Sequence, residues 1–365
     1  MSGSAAVAAS AEPEKPAEPK EAEADSGAVR KPNDSRFHQQ RLPAWQPLLT
    51  AKPAFCLFFI IGIVFVPLGA FLLTTSQSVE EIKTDYTNCK NGSSFCLALV
   101  STPEYYANFQ SCQCMVDIKL PNNLTGQVYA YYALTNFYQN HRRYVKSRDD
   151  GQLQGTKMDN LLDDCNPYRQ SPSGQWYAPC GAIANSLFND TFQLFYNRPD
   201  GSGRVAVPWT STGIAWDSDR ARKFARISSW NNTVKPVNWP KSAKERNADA
   251  YQGDEELIVW MRTAALPSFR KLHRIIQHDS AATNLFKDGL PAGNYSLVVN
   301  YAYPVSSFAG TKSFILTTST WLGGRNPALG IIYLVVGSLH VILGIIFVGV
   351  FLYSRKKHKV TLTNF

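Results

Sequence analysis

Residues 136–150 read NFYQNHRRYVKSRDD, with one His, three Arg, one Lys and two Asp among Phe and Tyr. Residues of these types at this density could bind phosphate, line a catalytic centre or grip nucleic acid. A second candidate is CQC at 112–114, where two thiolates could hold a soft metal. Zinc sites, however, use two such pairs, or added His at defined spacing. The six histidines, at 38, 141, 273, 278, 340 and 358, are scattered along the chain. No G-x-S-x-G elbow, H-E-x-x-H helix, Walker loop or G-x-G-x-x-G occurs, and each of those patterns is what its chemistry requires. The D-K-T-G stretch of pumps that phosphorylate an Asp is also missing. The expectation is a protein that is not an enzyme and holds no metal and no cofactor.

The elements that must position these residues begin with two apolar runs. Pro53–Leu73 is 21 residues without a charge, and Pro327–Tyr353 is 27 residues broken in polarity mainly by Ser338 and His340. About 20 residues at 1.5 Å rise cross the roughly 30 Å hydrocarbon layer, so both runs are read as transmembrane helices, over 53–75 and 327–353. Pro67 is expected to kink the first. The first 50 residues are polar, so the first span should serve as its own targeting signal. Arg36, Arg41 and Lys52 precede the first span, and Arg355, Lys356, Lys357 and Lys359 follow the second. The positive-inside rule then puts both termini in the cytoplasm and residues 76–325 on the exoplasmic side. The net charge of +9 divides accordingly: residues 1–52 carry seven basic and seven acidic side chains, and the tail 354–365 is basic. The basic balance is therefore topogenic and lipid-facing, and no partnership with nucleic acid follows from it.

Six of the seven cysteines fall between the spans, an even number suited to an oxidising compartment. Cys112 and Cys114 are too close to pair comfortably, so each should reach back to Cys89 or Cys96. The nested arrangement Cys89–Cys114 with Cys96–Cys112 is the expectation, leaving Cys165–Cys180 as a local loop. Asn91, Asn123, Asn189, Asn231 and Asn294 each open an N-x-S/T sequon in the same region, whereas Asn33 lies on the cytoplasmic side. In the spans, Gly62 and Gly69, and Gly330, Gly337 and Gly344, recur every seven residues. Such ridges allow close helix packing, against each other or a partner.

Residues 1–35 are rich in Ala, Glu, Pro and Lys, cannot bury enough apolar surface, and are read as a disordered tail. The juxtamembrane segment 36–52 carries Phe37, Leu42, Trp45, Leu48 and Leu49, suited to the membrane interface or to a cytoplasmic partner. Between the spans, period two dominates: VDIKL at 116–120 and VYAYYAL at 128–134 read as strands. YSLVVNYAYPV (295–305) and KSFILTTSTW (312–321) read as a hairpin, and PSFRKLHRIIQ (267–277) as a helix with Phe269, Leu272, Ile275 and Ile276 on one face. The polar stretches 146–175 and 198–255 read as loop insertions. The fold class is thus a membrane protein: two transmembrane α-helices flanking a mainly antiparallel, sandwich-like β ectodomain. In that setting Arg142, Arg143 and Arg148, with His141 beside them, are read first as structural ties to Asp149, Asp150 and nearby carbonyls. A contact with a partner or a lipid headgroup is the second reading.

Several blocks carry a family resemblance: RFHQQRLPAWQPLLT, NFYQNHRRYVKSRDDGQL, APCGAIANSLFND, GIAW, VWMRTAALPSFRKL, LPAGNY and STWLGGRNPALGIIYLVVGS. In this order, from about Arg36 to Ser338, they resemble the Cdc50/Lem3 (transmembrane protein 30) family, accessory β-subunits of type IV P-type ATPases. The resemblance implies a heterodimer with a phospholipid flippase, in which the β-subunit assists folding and endoplasmic reticulum exit of the catalytic subunit and contributes to transport. It does not hydrolyse ATP. It implies a glycosylated, disulfide-bonded ectodomain over the pump, residence in endoplasmic reticulum, Golgi or endosomes and plasma membrane, glycosylation at Asn189 and a Cys165–Cys180 disulfide. The spacing from Cys89 to Cys112 departs from animal relatives, and Asp217 after GIAW replaces the Trp of many. Rival readings with the same topology are a two-span channel subunit and a glycan- or lipid-binding receptor.

Overall fold

A computed structural model describes residues 34–43, 51–102, 104, 111–278 and 284–362. The expected disordered tail therefore falls almost wholly outside the described residues, as does Trp45.

Each apolar run forms one continuous helix: α1 spans Ala51–Gln77, with Pro67 inside it, and the C-terminal helix spans Ala328–Leu362. Both are long and apolar enough to cross a membrane. Their side chains mostly face outward, Ile63 being 68% and Val335 61% exposed. A core helix of a soluble protein would hide such residues.

Between them lie two main antiparallel sheets, with three two-stranded pairings beside them among the described residues. The strands, in chain order, are β1 (Glu81–Asp85), β2 (Cys112–Leu120), β3 (Val128–Leu134), β4 (Thr191–Asn197), β5 (Arg204–Ala206), β6 (Trp209–Thr210), β7 (Phe269–Ile276), β8 (Gly293–Tyr301) and β9 (Lys312–Thr318). One sheet runs β1-β9-β3-β7-β6 and the other β2-β8-β4-β5. Their inner faces share one core, with Phe192 of β4 against Phe314 of β9 at 5.1 Å between ring centres. The strand pattern works as period two demands: in β2, Cys112, Cys114, Ile118 and Leu120 are buried and the residues between them are more exposed. The result is the sandwich expected of two apolar inner faces.

Two sequence expectations are corrected. Residues 269–276 form strand β7, not a helix, paired with β3 and β6. A register shift between Leu272 and Arg274 interrupts the alternation, so the buried positions are 271, 273 and 276. An interrupted period of two mimics helical spacing, and two of those inward residues, Lys271 and His273, are polar. Nor do 295–305 and 312–321 form a hairpin. β8 pairs with β2 and β4, whereas β9 pairs with β1 and β3 in the opposite sheet. The ten-residue connection 302–311 crosses the sandwich, whereas a tight hairpin needs only two to five. The polar stretches hold short helices, and 198–255 also supplies edge strands β5 and β6.

Candidate functional site

The two long helices meet along their glycines. A Cβ on Gly62 would lie 2.5 Å from Val341 Cγ2 and 3.2 Å from the Gly337 carbonyl, and one on Gly69 would lie 2.8 Å from the Leu334 nitrogen. From the other side, a Cβ on Gly330 would lie 2.7 Å from the Leu73 nitrogen, one on Gly337 would lie 2.9 Å from Val66 Cγ2, and one on Gly344 would lie 3.2 Å from the Phe59 ring. All five ridge glycines thus face the companion helix of this chain; at Gly62, Gly69, Gly330 and Gly337 its backbone comes close, whereas Gly344 faces the Phe59 ring. The remaining circumference, carrying Ile63, Phe71, Ile332 and Ile346, is exposed. It offers an apolar surface to lipid or to a further membrane helix.

The cysteines staple the region after β1. Cys89 is bonded to Cys114 and Cys96 to Cys112, with Cα–Cα separations of 6.0 and 5.5 Å, and Cys165 is bonded to Cys180. The sulfurs of Cys89, Cys96 and Cys114 lie within 4.8 Å of one another. Their engagement in disulfides leaves no thiolate there to ligate a metal.

The segment His141–Asp150 divides into two functions. Its second half is anchored. Asp149 caps a turn at Asp150–Leu153 by accepting from the Gln152 N–H at 3.1 Å, and it also accepts from the Leu162 N–H at 2.9 Å and pairs with Lys157 at 2.8 Å. Burial works to raise the Asp149 pKa, but Lys157 and the two backbone donors outweigh it and hold the carboxyl below its usual range. The Gln152 side chain donates to the Tyr177 carbonyl and accepts from the Cys180 N–H, tying the turn to the Cys165–Cys180 loop. At Gly181, with φ +95°, a Cβ would sit 2.1 Å from the Ser147 carbonyl, so only glycine permits this approach.

The first half, helix α2 (Arg142–Lys146), points outward. His141, Arg142, Arg143 and Lys146 are exposed, and among the described residues Arg142 and Arg143 make no ion pair. This corrects the expectation of three tying arginines. Arg148 alone pairs, with Asp150 at 3.0 Å on the surface, a contact worth about 0–1 kcal/mol. The reason is local: the turn that buries Asp149 gives it to Lys157, and one helical turn earlier the side chains face away. Arg142, Arg143 and Lys146 line one wall of an open cleft of about 480 Å³, facing Asp163, Asp164 and Asn166.

Of the sequon asparagines, Asn91, Asn123, Asn231 and Asn294 are exposed, whereas Asn189 is half-buried. The next residue, Asp190, is the acidic half of a fully buried ion pair that sequence reasoning missed. Lys312 Nζ lies 2.6 Å from Asp190 Oδ2, and both side chains are 0% exposed. Tyr86 donates to the same oxygen at 2.9 Å, and the Ala302 and Tyr303 N–H groups donate to the other at 2.6 and 2.7 Å. Burial pushes the Lys312 pKa down to about 8 although Asp190 acts to raise it. The cluster joins β9 of one sheet to the ends of β4 and β8 in the other. Lys271, also buried, donates to the carbonyls of Val259, Trp260 and Arg262. Burial and the Arg262 charge push its pKa down to about 7. A charged residue inside a strand otherwise buried on both faces is the signal that could have found Lys312.

A sequence model of the LEM3 (ligand-effect modulator 3) family / CDC50 family matches residues 72–357. The chain belongs to this family. The match begins within α1 and ends within the C-terminal helix, so the CDC50/LEM3 unit takes in the whole sandwich and most of the second helix. Relatives agree along nearly the full length. Cell cycle control protein 50A of Bos taurus is 44% identical over 87% of this chain and 88% of its own. Cell cycle control protein 50B of Homo sapiens is 41% identical over 90% and 96%. ALA-interacting subunit 3 of Arabidopsis thaliana is 40% identical over 91% of each.

Proposed function

We propose that this chain is the non-catalytic accessory subunit of a type IV P-type ATPase and supports movement of phospholipid to the cytoplasmic leaflet. The observation that carries this reading is the helix pair. Its glycine seam is occupied by self-packing, and its outer face remains a continuous apolar wall, a form suited to standing beside a larger membrane body. The name of one relative, ALA-interacting subunit 3, supports the same role. In this reading both termini are cytoplasmic, and residues 76–325 lie on the exoplasmic side, glycosylated at the sequons. The complex forms in the endoplasmic reticulum and moves on to Golgi, endosomes and plasma membrane.

The chain would act on the pump only through differential affinity. A subunit that binds all conformations of its partner equally shifts none of them. The wall of α1 and the C-terminal helix supplies the membrane contact, and the basic face of α2 supplies a charged exoplasmic contact with acidic loops.

The test is co-expression with a flippase catalytic subunit, followed by purification in detergent through a tag on this chain. The two chains are expected to copurify, with lipid-stimulated ATP hydrolysis in the complex and none in this chain alone. Full export of the chain by itself, with no catalytic subunit retained, would refute the reading.

A further inference from the structure

Asn189 stands at the rim of a cavity of about 390 Å³ between the Asn185–Asn189 segment and the 302–308 connection. That volume is within the range of small-molecule sites. The lining is amphipathic. Tyr303 and Phe308 present ring surface, and Ser111, Asn238 and Ser307 present polar groups. Such a mixture fits a pyranose ring, which has apolar C–H faces and a polar rim. At its edge, the Asn189 side-chain oxygen is buried with no hydrogen-bond partner among the described residues, a condition native proteins rarely leave unanswered. Asn189 also opens the sequon Asn189-Asp190-Thr191, and among the described residues it is the one sequon asparagine that is half-buried.

We infer that the cavity is the seat of the first N-acetylhexosamine of a glycan carried on Asn189. Attachment follows the ordinary course for an exoplasmic sequon. The amide Nδ2 displaces the diphosphate of a lipid-linked oligosaccharide at the sugar C1, the N–C1 bond forms as the C1–O bond breaks, and the Nδ2 proton leaves with the diphosphate. On folding, the tethered sugar settles between the Tyr303 and Phe308 rings and brings hydrogen-bond donors to the unpaired carbonyl. Because Asp190 is locked by Lys312 and two backbone N–H groups, the attachment point is held against the sandwich core. The glycan then acts as a filler of the gap between the sheets' connections. The other four sequons carry their sugars on exposed side chains.

This inference rests on the exoplasmic placement of the domain and not on the pump. The full chain is expressed in cells that N-glycosylate, purified in detergent, and digested under native conditions with an endoglycosidase that cuts within the core. Site occupancy is followed by glycopeptide mass spectrometry. The Asn189 glycan is expected to be released at least about tenfold more slowly than those at the other sequons, since cleavage requires local opening, and at the same rate after denaturation. Ser307→Trp or Ser111→Trp, each filling the cavity with the sequon intact, should abolish the protection in whichever variant retains the wild-type melting temperature. Equal release at all sites, an unmodified Asn189 beside occupied neighbours, or protection that survives both fillings overturns the seat. No glycan at any of the five sites overturns the exoplasmic topology as well.

Discussion

Replacing Arg142 and Arg143 together by alanine separates folding from partner binding. Both side chains are exposed on α2, and their removal leaves no buried acceptor without a donor. Surface changes of this kind stay within about 0.5 kcal/mol. In a domain of roughly 250 residues, 1 kcal/mol moves Tm by about 2–4 °C, so the expected fall is about 2 °C or less. Binding should respond far more. An exposed ion pair is worth up to about 1 kcal/mol, and two of them lost together give about 2 kcal/mol, roughly a 30-fold weaker complex. Desolvation at the interface would enlarge the effect toward about 2–5 kcal/mol per pair. The assay is a titration of the detergent-solubilised catalytic subunit with wild-type or variant chain at low and high salt. Wild-type affinity should fall with salt, and the variant's should fall much less. A Tm loss above about 5 °C, which would exceed the surface range, returns these arginines to a structural role. Unchanged affinity with unchanged salt dependence refutes the contact.

Three further outcomes test the framework. Lys312→Met leaves the Asp190 carboxylate buried with one donor lost, at a cost of about 3–5 kcal/mol, and thermal unfolding should show a Tm fall of about 6–20 °C. Adding Asp190→Asn should recover part of it, and a single-variant shift near zero would refute the tie. Gly337→Leu places a branched side chain where a Cβ already meets Val66 at 2.9 Å and Phe65 at 3.0 Å. Spin labels at positions 57 and 345 should therefore report wider helix separation, whereas Gly349→Leu, with open space around it, should not. Lys271 has a folded-state pKa of about 7 against 10.5 unfolded, so the unfolded chain binds more protons between those values and stability rises with pH across that window. Urea melts at pH 7 and pH 9 should show wild type gaining on the order of 2 kcal/mol over Lys271→Met, and a pH-independent difference would refute the burial argument.

What was legible in the sequence was whatever depends on a contiguous pattern. The spans are readable because a bilayer imposes length and polarity residue by residue. VDIKL and VYAYYAL are readable because strand sides alternate along the chain. The CQC pair is readable because two neighbouring cysteines on a strand share a face and cannot easily pair with each other. Failures came where topology decides. Residues 269–276 were misread because a register shift broke their alternation and their buried positions include Lys271 and His273. The segment 295–321 was misread because adjacency in sequence suggests a hairpin, although each strand already had two neighbours in its own sheet. Asp190 and Lys312 could not have been joined by eye: they are 122 residues apart and meet only when the sheets face each other. The tie to Asp149 was out of reach for a similar reason: Asp149 is taken by Lys157, across a turn whose shape depends on Gly181 touching Ser147, whereas Arg148 keeps the expected pairing with Asp150.

The same two chain segments that pair in the membrane also pair in the sheet, and this bears on how the subunit can influence a partner. Only three residues separate α1 from β1, and β9 leads through residues 319–327 to the C-terminal helix. β1 and β9 are antiparallel neighbours from Glu81 opposite Thr317 to Asp85 opposite Ser313. The junction is bonded: the Asn326 N–H donates to Ser76 Oγ at 2.9 Å, the Thr318 N–H donates to the Glu80 carbonyl at 3.1 Å, and Arg270 of β7 pairs with Glu81 at 2.5 Å. Further on, β9 begins at Lys312, the residue tied to Asp190 of the opposite sheet. From glycine seam to sandwich core, the chain is therefore a series of close-packed or hydrogen-bonded steps without a loose joint among the described residues. Close-packed interiors transmit displacement and do not absorb it. A partner that held the helix pair and also touched the α2 face would thus meet two surfaces of one bonded framework. Its conformations would then be distinguished by whether both contacts can be made at once, and the free energy of the second contact would set how far the equilibrium shifts.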